Sequence, residues 1–355
     1  MNSENKLPRI KIKSDLIKKN TEIITERFEG EIVGVTKGVC GNVKIAEQMI
    51  EGGAEIIGDS RVDNLKKLSD SLDVDLMLLR TPMCSNISDV VRYADISLNS
   101  EFEVMKKLSK EAVKQDKVHR AIIMVDVGDR REGIMPQDFI PLLRKVKDLE
   151  NLEVIGIGTN VGCYGGVQPT FENTEILVKL AEKANKELNF SLTTLSGGST
   201  ITLKLMEEDK LPQRINQLRI GEGILLGTSI SQDRDIPYLH RNVFEIEAEI
   251  IEVKEKPSVP EGEIGQDAFG KKPEFKDRGI RRRAIAAIGK QDTDTSNLTP
   301  KDDGVEILGA SSDHMILDVE DMERDIEIGD TLSFLPTYSG MLKAFTSEYV
   351  DKMYI

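Results

Sequence analysis

Short apolar runs alternate with amphipathic stretches over the first two-thirds of the chain. The runs are rich in aliphatic residues, as buried strands are, and the stretches repeat apolar residues every three to four positions, as helices do. The predicted strands are 31–36, 54–58, 74–80, 94–98, 120–127, 153–159, 190–195 and 217–221, and the clearest helices are 42–51, 101–115 and 172–187. This alternation predicts a parallel sheet whose faces are covered by helices.

Eight such strand–helix units close most naturally into a (β/α)8 TIM-type barrel. The rival is a doubly wound open sheet, which normally carries a glycine-rich phosphate turn after its first strand. Here that turn reads TKGVCGN, and neither 156–158 (GIG) nor 221–223 (GEG) has a third glycine at the required spacing. We therefore predict an α/β fold with an eight-stranded barrel.

The pattern changes after about residue 238, where β-branched runs are separated by turn residues and helical periodicity returns only at 339–346. We expect a barrel domain over residues 1–236 and a C-terminal β-rich domain over 237–355. Residues 1–13 are expected to form a leading strand that packs on the C-terminal domain. Residues 255–282, rich in Pro, Gly and charge, predict a long loop, which in a compact domain is usually functional or disordered.

The formal charge of −14 disfavours nucleic acid and anionic membranes as partners. The basic run 278–283 (RGIRRR) fits a solvated loop or an ion-paired face. Cysteines 40, 84 and 163 and histidines 119, 240 and 314 share no metal-ligand or disulfide spacing, so we expect no metal. The polar N-terminus, and the lack of an apolar run approaching ~20 residues, favour a cytoplasmic protein.

Catalytic groups in such barrels stand at the carboxyl ends of the strands. Lys37 follows the first predicted strand. The ends after strands seven and eight, 196–199 (SGGS) and 219–223 (RIGEG), are rich in glycine and adjoin helix starts, where backbone N–H groups bind anions. The other ends carry Asp59, Arg80, Asn99, Asp126, Arg130, Arg131 and Asn160.

A lysine opposite phosphate-binding turns suggests covalent attachment of an aldehyde cofactor that carries a phosphate. Burial would lower the pKa of Lys37, so that its neutral amine could act as nucleophile and proton acceptor. Taken alone, a lysine at a strand end is far more often solvated or ion-paired.

Several segments resemble the alanine racemase superfamily, the fold type III pyridoxal-phosphate enzymes, in the same order along the chain. They are 33–42 (VGVTKGVCGN), 124–133 (MVDVGDRREG), 156–160 (GIGTN), 195–199 (LSGGS), 218–221 (LRIG), 287–292 (AIGKQD) and 309–315 (GASSDHM). The sequences TKGVCGN, TNVGCYGG and AIGKQD most resemble those of the family members that act on ornithine. The resemblance implies a pyridoxal 5'-phosphate-dependent enzyme that interconverts the L- and D-enantiomers of a free amino acid.

The resemblance also implies roles for single residues. Lys37 would hold the cofactor in the barrel domain and exchange the Cα proton on one face. Arg219 would donate to the pyridine nitrogen, and Arg131, with Asp313, would hold the substrate carboxylate. The other residues implied to contact the cofactor are Asn160, Ser196, Gly198, Ser199, Gly221, Glu222 and Tyr354.

The segments around Lys290 and Asp313 resemble those that the racemases send into the partner subunit's active site, which implies a homodimer with shared active sites. The sequence departs from the family at three places. Gly41 stands where a tyrosine touches the phosphate, Asn160 replaces a histidine, and Lys290 replaces the tyrosine that works opposite the cofactor lysine.

Several alternatives stay open. Lys290 is either the second base or a partner of Asp292 or Asp313 that only shapes the pocket. In the first case Lys290 and Asp313 are catalytic; in the second, the next candidates for the base are Tyr338, Asp313 and His314. Asp126 either caps a turn or works in the site, and Asp59 and Asn99 fit loop-ordering roles better than catalysis. Other functions to weigh are another fold type III activity, such as an alanine or broad-specificity racemase or a D-amino-acid lyase or aldolase, and a non-catalytic cofactor carrier.

Overall fold

A computed structural model describes residues 6–267, 269–270 and 272–355. The chain divides into two compact units: Ser14–Arg241 forms one, and residues 6–13 together with Asn242–Ile355 form the other. The sequence had placed the boundary after residue 236. The part of the leading segment at residues 1–5 lies outside the described residues.

The first unit is built of alternating strands and helices, numbered here along the whole chain after β1 (Arg9–Ile12), which belongs to the second unit. Its main elements are α1 (Ser14–Arg27), β2 (Glu31–Val35), α2 (Val43–Glu51), β3 (Ile56–Asp59), α3 (Val62–Ser69), β4 (Asp75–Leu78), α4 (Ile87–Tyr93), β5 (Ile96–Asn99), α5 (Phe102–Lys114), β6 (His119–Met124), α6 (Phe139–Val146), β7 (Leu152–Gly158), α7 (Phe171–Leu188), β8 (Thr194–Ser196), α8 (Leu203–Glu207), β9 (Gln217–Ile220) and α9 (Glu222–Leu226). A two-stranded ribbon of β10 (Thr228–Ser229) and β11 (Arg234–Asp235) follows.

Strands β2 to β9 pair in parallel and close into an eight-stranded barrel, so the predicted (β/α)8 fold is confirmed. Side chains of successive strands fill its interior: Val33, Ile56, Met77, Ile96, Leu98, Ile122 and Met124. Two of the helices begin at a side-chain cap. The Asn42 side chain accepts from Ile45 N at the start of α2, and Thr170 and Asn173 form a capping box at the start of α7.

The described residues of the second unit form a sheet of eight strands with one α-helix, which confirms the predicted β-rich C-terminal domain. Its further elements are β12 (Phe244–Pro257), β13 (Ile280–Ala286), β14 (Leu298–Pro300), β15 (Glu306–Ala310), β16 (Met315–Asp318), β17 (Thr331–Pro336), α10 (Tyr338–Thr346) and β18 (Asp351–Tyr354). Strand β12 pairs with β1 and β17 over its first half. After a bulge between Ile250 and Glu252 it pairs with β13. No helix among the described residues is long and apolar enough to cross a membrane.

The predicted loop 255–282 is shorter than expected, because β12 continues to Pro257 and β13 begins at Ile280. Two of its positions, 268 and 271, lie outside the described residues. The basic run 278–283 is an ion-paired face: Arg278 pairs with Glu306, Arg281 with Asp318 at 2.9 Å, and Arg282 with Asp325 at 3.0 Å.

A buried histidine makes the barrel unit sensitive to acid. His119 begins β6, and its Nε2 lies 2.7 Å from Ser97 Oγ. Burial lowers the pKa of His119 to about 4, whereas an unfolded chain binds this proton near pH 6.5. Unfolding therefore takes up a proton between about pH 6.5 and pH 4, and the free energy of unfolding falls as the pH falls through that window.

We expect His119 to cost about 2 kcal/mol of stability at pH 5 relative to pH 7.5. The measurement is urea unfolding of the wild type and of His119→Gln at both pH values. The variant should lose less stability on acidification than the wild type by about that amount. Equal losses in the two proteins would contradict a neutral buried His119.

Candidate active site

The carboxyl ends of the parallel strands meet at one rim of the barrel, where Lys37 opens a short 3-10 turn, Lys37–Val39, directly after β2. The preceding residue is fixed from below: Thr36 N donates to Gly58 O at 2.9 Å, and Thr36 Oγ1 donates to Asp59 Oδ2 at 2.8 Å. The turn leaves the rim through Gly41, whose φ is +61° and where a Cβ would lie 2.6 Å from Asn64 Cβ. The backbone that carries Lys37 is therefore held rigidly.

The Lys37 side chain itself is exposed at the rim, so the burial expected from the sequence is wrong for this structure. Asp59 orders the surrounding loop, as the sequence suggested. Its carboxylate accepts from Thr36, from Arg61 N at 2.9 Å and from Asn64 Nδ2 at 3.0 Å. Burial raises the pKa of Asp59 despite these donors.

Arg219 is a buried cation inside the barrel, on β9. Its Nη2 donates to Thr159 O at 2.6 Å, and its Nη1 donates to Ser196 Oγ. Burial lowers the pKa of Arg219 to about 10; Glu132 opposes this and Arg131 adds to it. Arg219 therefore stays charged at neutral pH. Because a guanidinium has five N–H donors, donors are left over for a ligand.

Ser196 supports Arg219 instead of lining the turn. Its hydroxyl donates to Gln217 Oε1 at 2.7 Å while it accepts from Arg219, and Gln217 Nε2 in turn donates to Glu31. A chain of polar side chains thus runs through the barrel interior from Glu31 to Arg219. The Ser196 hydroxyl holds Arg219 in this structure, and the prediction that Ser196 is a cofactor neighbour stays a prediction.

The two glycine-rich ends after β8 and β9 are joined to each other. Gly198 O accepts from Arg219 N at 2.9 Å, and Thr200 Oγ1 accepts from Gly223 N at 3.1 Å. Gly198 has φ +121°, and a Cβ there would lie 2.6 Å from Thr202 Oγ1. A short 3-10 turn, Thr200–Thr202, starts after Ser199, and helix starts leave N–H groups without intrahelical partners.

Gly221 precedes α9 in the second of these ends, where a Cβ would lie 3.1 Å from Val35 Cβ. The cradle of 196–199 and 221–223 is therefore closely packed around its glycines, and it lies at the starts of two short helical turns, where the first N–H groups have no intrahelical partner. These residues fit a phosphate group.

The carboxylate of Glu222 and the amide of Asn160 are engaged within the barrel unit. Glu222 Oε1 accepts from Thr228 Oγ1 at 2.8 Å and from Ile230 N at 2.6 Å. Asn160 Nδ2 donates to Cys163 Sγ at 3.0 Å. In this structure Glu222 ties α9 to the segment that follows it, and Asn160 orders its own loop.

The loop after β6 depends on two aspartates. Asp126 accepts from Gly128 N at 2.8 Å and Arg130 N at 3.2 Å and pairs with the Arg130 side chain at 3.4 Å, so it caps a turn and pairs with an arginine. The buried Asp129 accepts backbone N–H groups of the loop 160–167, including Gly162 at 3.1 Å and Tyr164 at 3.0 Å. Burial alone would raise the pKa of Asp129, but these donors outweigh it and hold the pKa below its usual range.

Arg131 and Glu132 follow on the same loop and form a bidentate ion pair. Arg131 Nε and Nη2 donate to the two carboxylate oxygens of Glu132. The two side chains are 38% and 29% exposed. Both charges act on Arg219, so the barrel rim brings two arginines and one glutamate together.

In the second unit, the segments of Lys290 and Asp313 lie against each other. Lys290 N donates to Ser311 O at 2.9 Å, and a Cβ on Gly289 would lie 2.3 Å from Asp313 N. The Lys290 ammonium lies 3.8 Å from the centre of the Phe269 ring. This cation–π contact, and not Asp292 or Asp313, is the neighbour that the structure gives Lys290.

Asp313 pairs with His314 Nδ1 at 2.8 Å, which lowers the pKa of Asp313. Tyr354 lies on β18, opposite Ile12 of β1. These residues belong to the second unit, whereas Lys37, Arg131 and Arg219 belong to the barrel unit.

Sequence reasoning missed Asp129, Thr159, Gln217 and Glu132. The first three act through backbone groups or inside the barrel, which residue type and local spacing do not reveal. Glu132 carried one usable signal, since an acid directly follows the arginine expected to bind a carboxylate.

Asp129→Asn should loosen the loop 160–167. The amide keeps one acceptor oxygen but brings two donors towards N–H groups, so we expect a loss on the order of 1–3 kcal/mol in the free energy of unfolding. Hydrogen exchange of the loop amides should accelerate, as measured by mass spectrometry. The control is Asp138→Asn, an exposed aspartate of the same unit; unchanged exchange in Asp129→Asn would refute the role.

Comparison with known proteins identifies the family of this chain. The chain matches the family described as alanine racemase, N-terminal domain, over residues 12–229. It is 47% identical over 319 residues, 90% of each chain, to ornithine racemase of Acetoanaerobium sticklandii. It is 44% identical over 351 residues, 98% of each chain, to lysine racemase of Thermotoga maritima.

A solved alanine racemase from Bartonella henselae with covalently bound pyridoxal phosphate has the same fold. The TM-score is 0.76 at 16% identity, over 98% of this chain and 99% of that chain. The resemblance drawn from the sequence is thus confirmed. Because the family match spans more than half of the residues and two relatives are racemases along nearly their whole length, the chain belongs to the alanine racemase family and is an amino-acid racemase.

Proposed function

We propose that this racemase acts on ornithine and binds pyridoxal 5'-phosphate at the carboxyl rim of the barrel. The observation that carries the proposal is the buried, charged Arg219 beside a glycine cradle that fits a phosphate. Enzymes of the alanine racemase family depend on this cofactor. The relatives that act on ornithine and lysine support a diamino acid as substrate.

The cofactor phosphate would lie against the glycine cradle of 196–199 and 221–223, and Lys37 would attach the cofactor covalently. When bound, the cofactor serves as an electron sink for negative charge at the substrate Cα. Arg219 remains protonated at neutral pH, so it would donate to the pyridine nitrogen and keep that nitrogen unprotonated. This arrangement suits racemisation, because less charge drains into the ring than with a protonated nitrogen.

Racemisation needs one group that removes the Cα proton and another that returns a proton on the opposite face. Lys37 is proposed for the first face, since its turn is fixed while its amine is accessible at the rim. Lys290 or Asp313 is proposed for the second face, supplied by the partner subunit of a homodimer. Arg131, with Asp313, is proposed to hold the substrate carboxylate. The residues that stay proposals as cofactor neighbours are Tyr354, Asn160, Ser196, Gly198, Gly221 and Glu222.

The test is a racemisation screen of the purified protein with pyridoxal 5'-phosphate over ornithine, lysine, alanine and threonine, read by chiral chromatography. Ornithine should be the best substrate. Lys37→Ala should abolish turnover and the absorbance of lysine-bound cofactor, of order ~420 nm. The control Lys67→Ala removes an exposed lysine of α3 and should change neither.

A wild type that racemises alanine far faster than ornithine would overturn the proposed substrate. A Lys37→Ala variant that keeps the band, and to which borohydride still fixes the cofactor, would show that another lysine holds it.

Shared active sites predict complementation between two inactive variants. Lys37→Ala and Lys290→Ala, mixed under conditions that exchange subunits, form hybrid dimers with one intact site. Random mixing should restore about a quarter of wild-type activity. If Lys290→Ala is itself active, Asp313→Asn replaces it. No recovery between two exchanging dimeric variants, or full activity of a protein that sedimentation shows to be monomeric, would contradict shared sites.

A further inference from the structure

Glu132 occupies the guanidinium that the proposed function needs for the substrate. Both carboxylate oxygens accept from Arg131, so the two side chains form a bidentate ion pair with each other. The pair is held in place from both sides. Asp126 caps the turn before it, and Gly133 after it has φ +118°, with a Cβ position 2.5 Å from Asp126 N.

Around the pair, positive charges outnumber negative ones, since Glu132 lies near both Arg131 and Arg219. Arg131 and Arg219 are both permanently charged, and Glu132 has the largest effect on Arg219 of any charged neighbour. Glu132 therefore balances two cations at the barrel rim. Its side chain is only 29% exposed, so water does not fully replace a partner that leaves it.

An incoming carboxylate that binds the Nε/Nη2 edge of Arg131 displaces Glu132, because one guanidinium edge binds one carboxylate in the bidentate manner. The displaced Glu132 then needs another cation. The α-amino group of the substrate is not available, since it is the group that reacts with the cofactor. A substrate that brings a second amine can supply this cation to Glu132.

We propose that Glu132 is the specificity-determining residue that binds the side-chain ammonium of a diamino acid. The substrate carboxylate replaces Glu132 on Arg131, and the released Glu132 carboxylate accepts from the ω-ammonium. This exchange of partners leaves every charge paired with a diamino acid but leaves Glu132 without its partner when the side chain is apolar. The inference rests on the proposed function and deepens it.

The experiment compares ornithine with norvaline, which has the same carbon chain without the second amine. The wild type should prefer ornithine. In Glu132→Gln, kcat/KM for ornithine should fall by about 10- to 100-fold, as expected for a lost charged hydrogen bond, while kcat/KM for norvaline stays level or rises. The matched control is Glu47→Gln, an exposed glutamate of α2, which should keep the wild-type ratio.

Two further readouts separate recognition from a structural role. Titration of the cofactor absorbance with each amino acid gives an apparent Kd without turnover, and Glu132→Gln should weaken ornithine alone. Glu132→Asp keeps the charge but retracts it by one methylene. It should still discriminate against norvaline and should shift preference from ornithine towards the longer lysine, which tests the idea even if Glu132→Gln folds poorly.

A Glu132→Gln variant that loses ornithine and norvaline equally, or that keeps the wild-type preference, overturns the assignment of Glu132. The wild-type measurement stands apart from that result. A wild type that racemises norvaline as well as ornithine overturns the proposed diamino-acid substrate, whatever the variant does.

Discussion

A permanent charge inside the barrel is the constraint on which the rest of the site depends. Arg219 cannot shed its proton at neutral pH, so burial is tolerable only while its N–H groups are hydrogen-bonded. Ser196 and the carbonyl of Thr159 meet that demand from two neighbouring strands. The same residue fixes the adjoining turn, because its backbone N–H holds the Gly198 carbonyl. The buried Arg219, the glycine cradle and the strands that hold them therefore depend on one another.

Much of this could be predicted from the sequence because apolar periodicity reports burial directly. The eight barrel strands lie close to where the pattern placed them, as with 120–127 against His119–Met124. The family resemblance pointed to Arg219, and the glycine-rich ends of β8 and β9 were visible as composition. The short strands Leu298–Pro300 and Asp351–Tyr354 were not predicted as separate elements, because three or four residues are too few to show alternation.

What could not be predicted is the direction of individual side chains. Ser196 stands in a motif that suggests an anion site, yet its hydroxyl points into the barrel towards Gln217 and Arg219. Asp126 and Asp129 look equivalent within DVGD, but only Asp129 meets a loop more than thirty residues away. Such roles depend on which distant segment of the chain packs against the residue. The local spacing of residues does not reveal that segment.

The topology of the second unit has a consequence for biosynthesis. Strand β1 pairs antiparallel with β12 and parallel with β18, so residues 9–12 lie between partners from a distant part of the chain. The barrel unit can close once Arg241 has been made, and β12 can then pair with one edge of β1, whereas the other edge must wait for residue 354. Until then the N–H and C=O groups on that second edge stay unpaired. A chain that ends before β18 would thus combine a finished barrel with a leading strand that has an unpaired edge. Such a species is a natural target for chaperones.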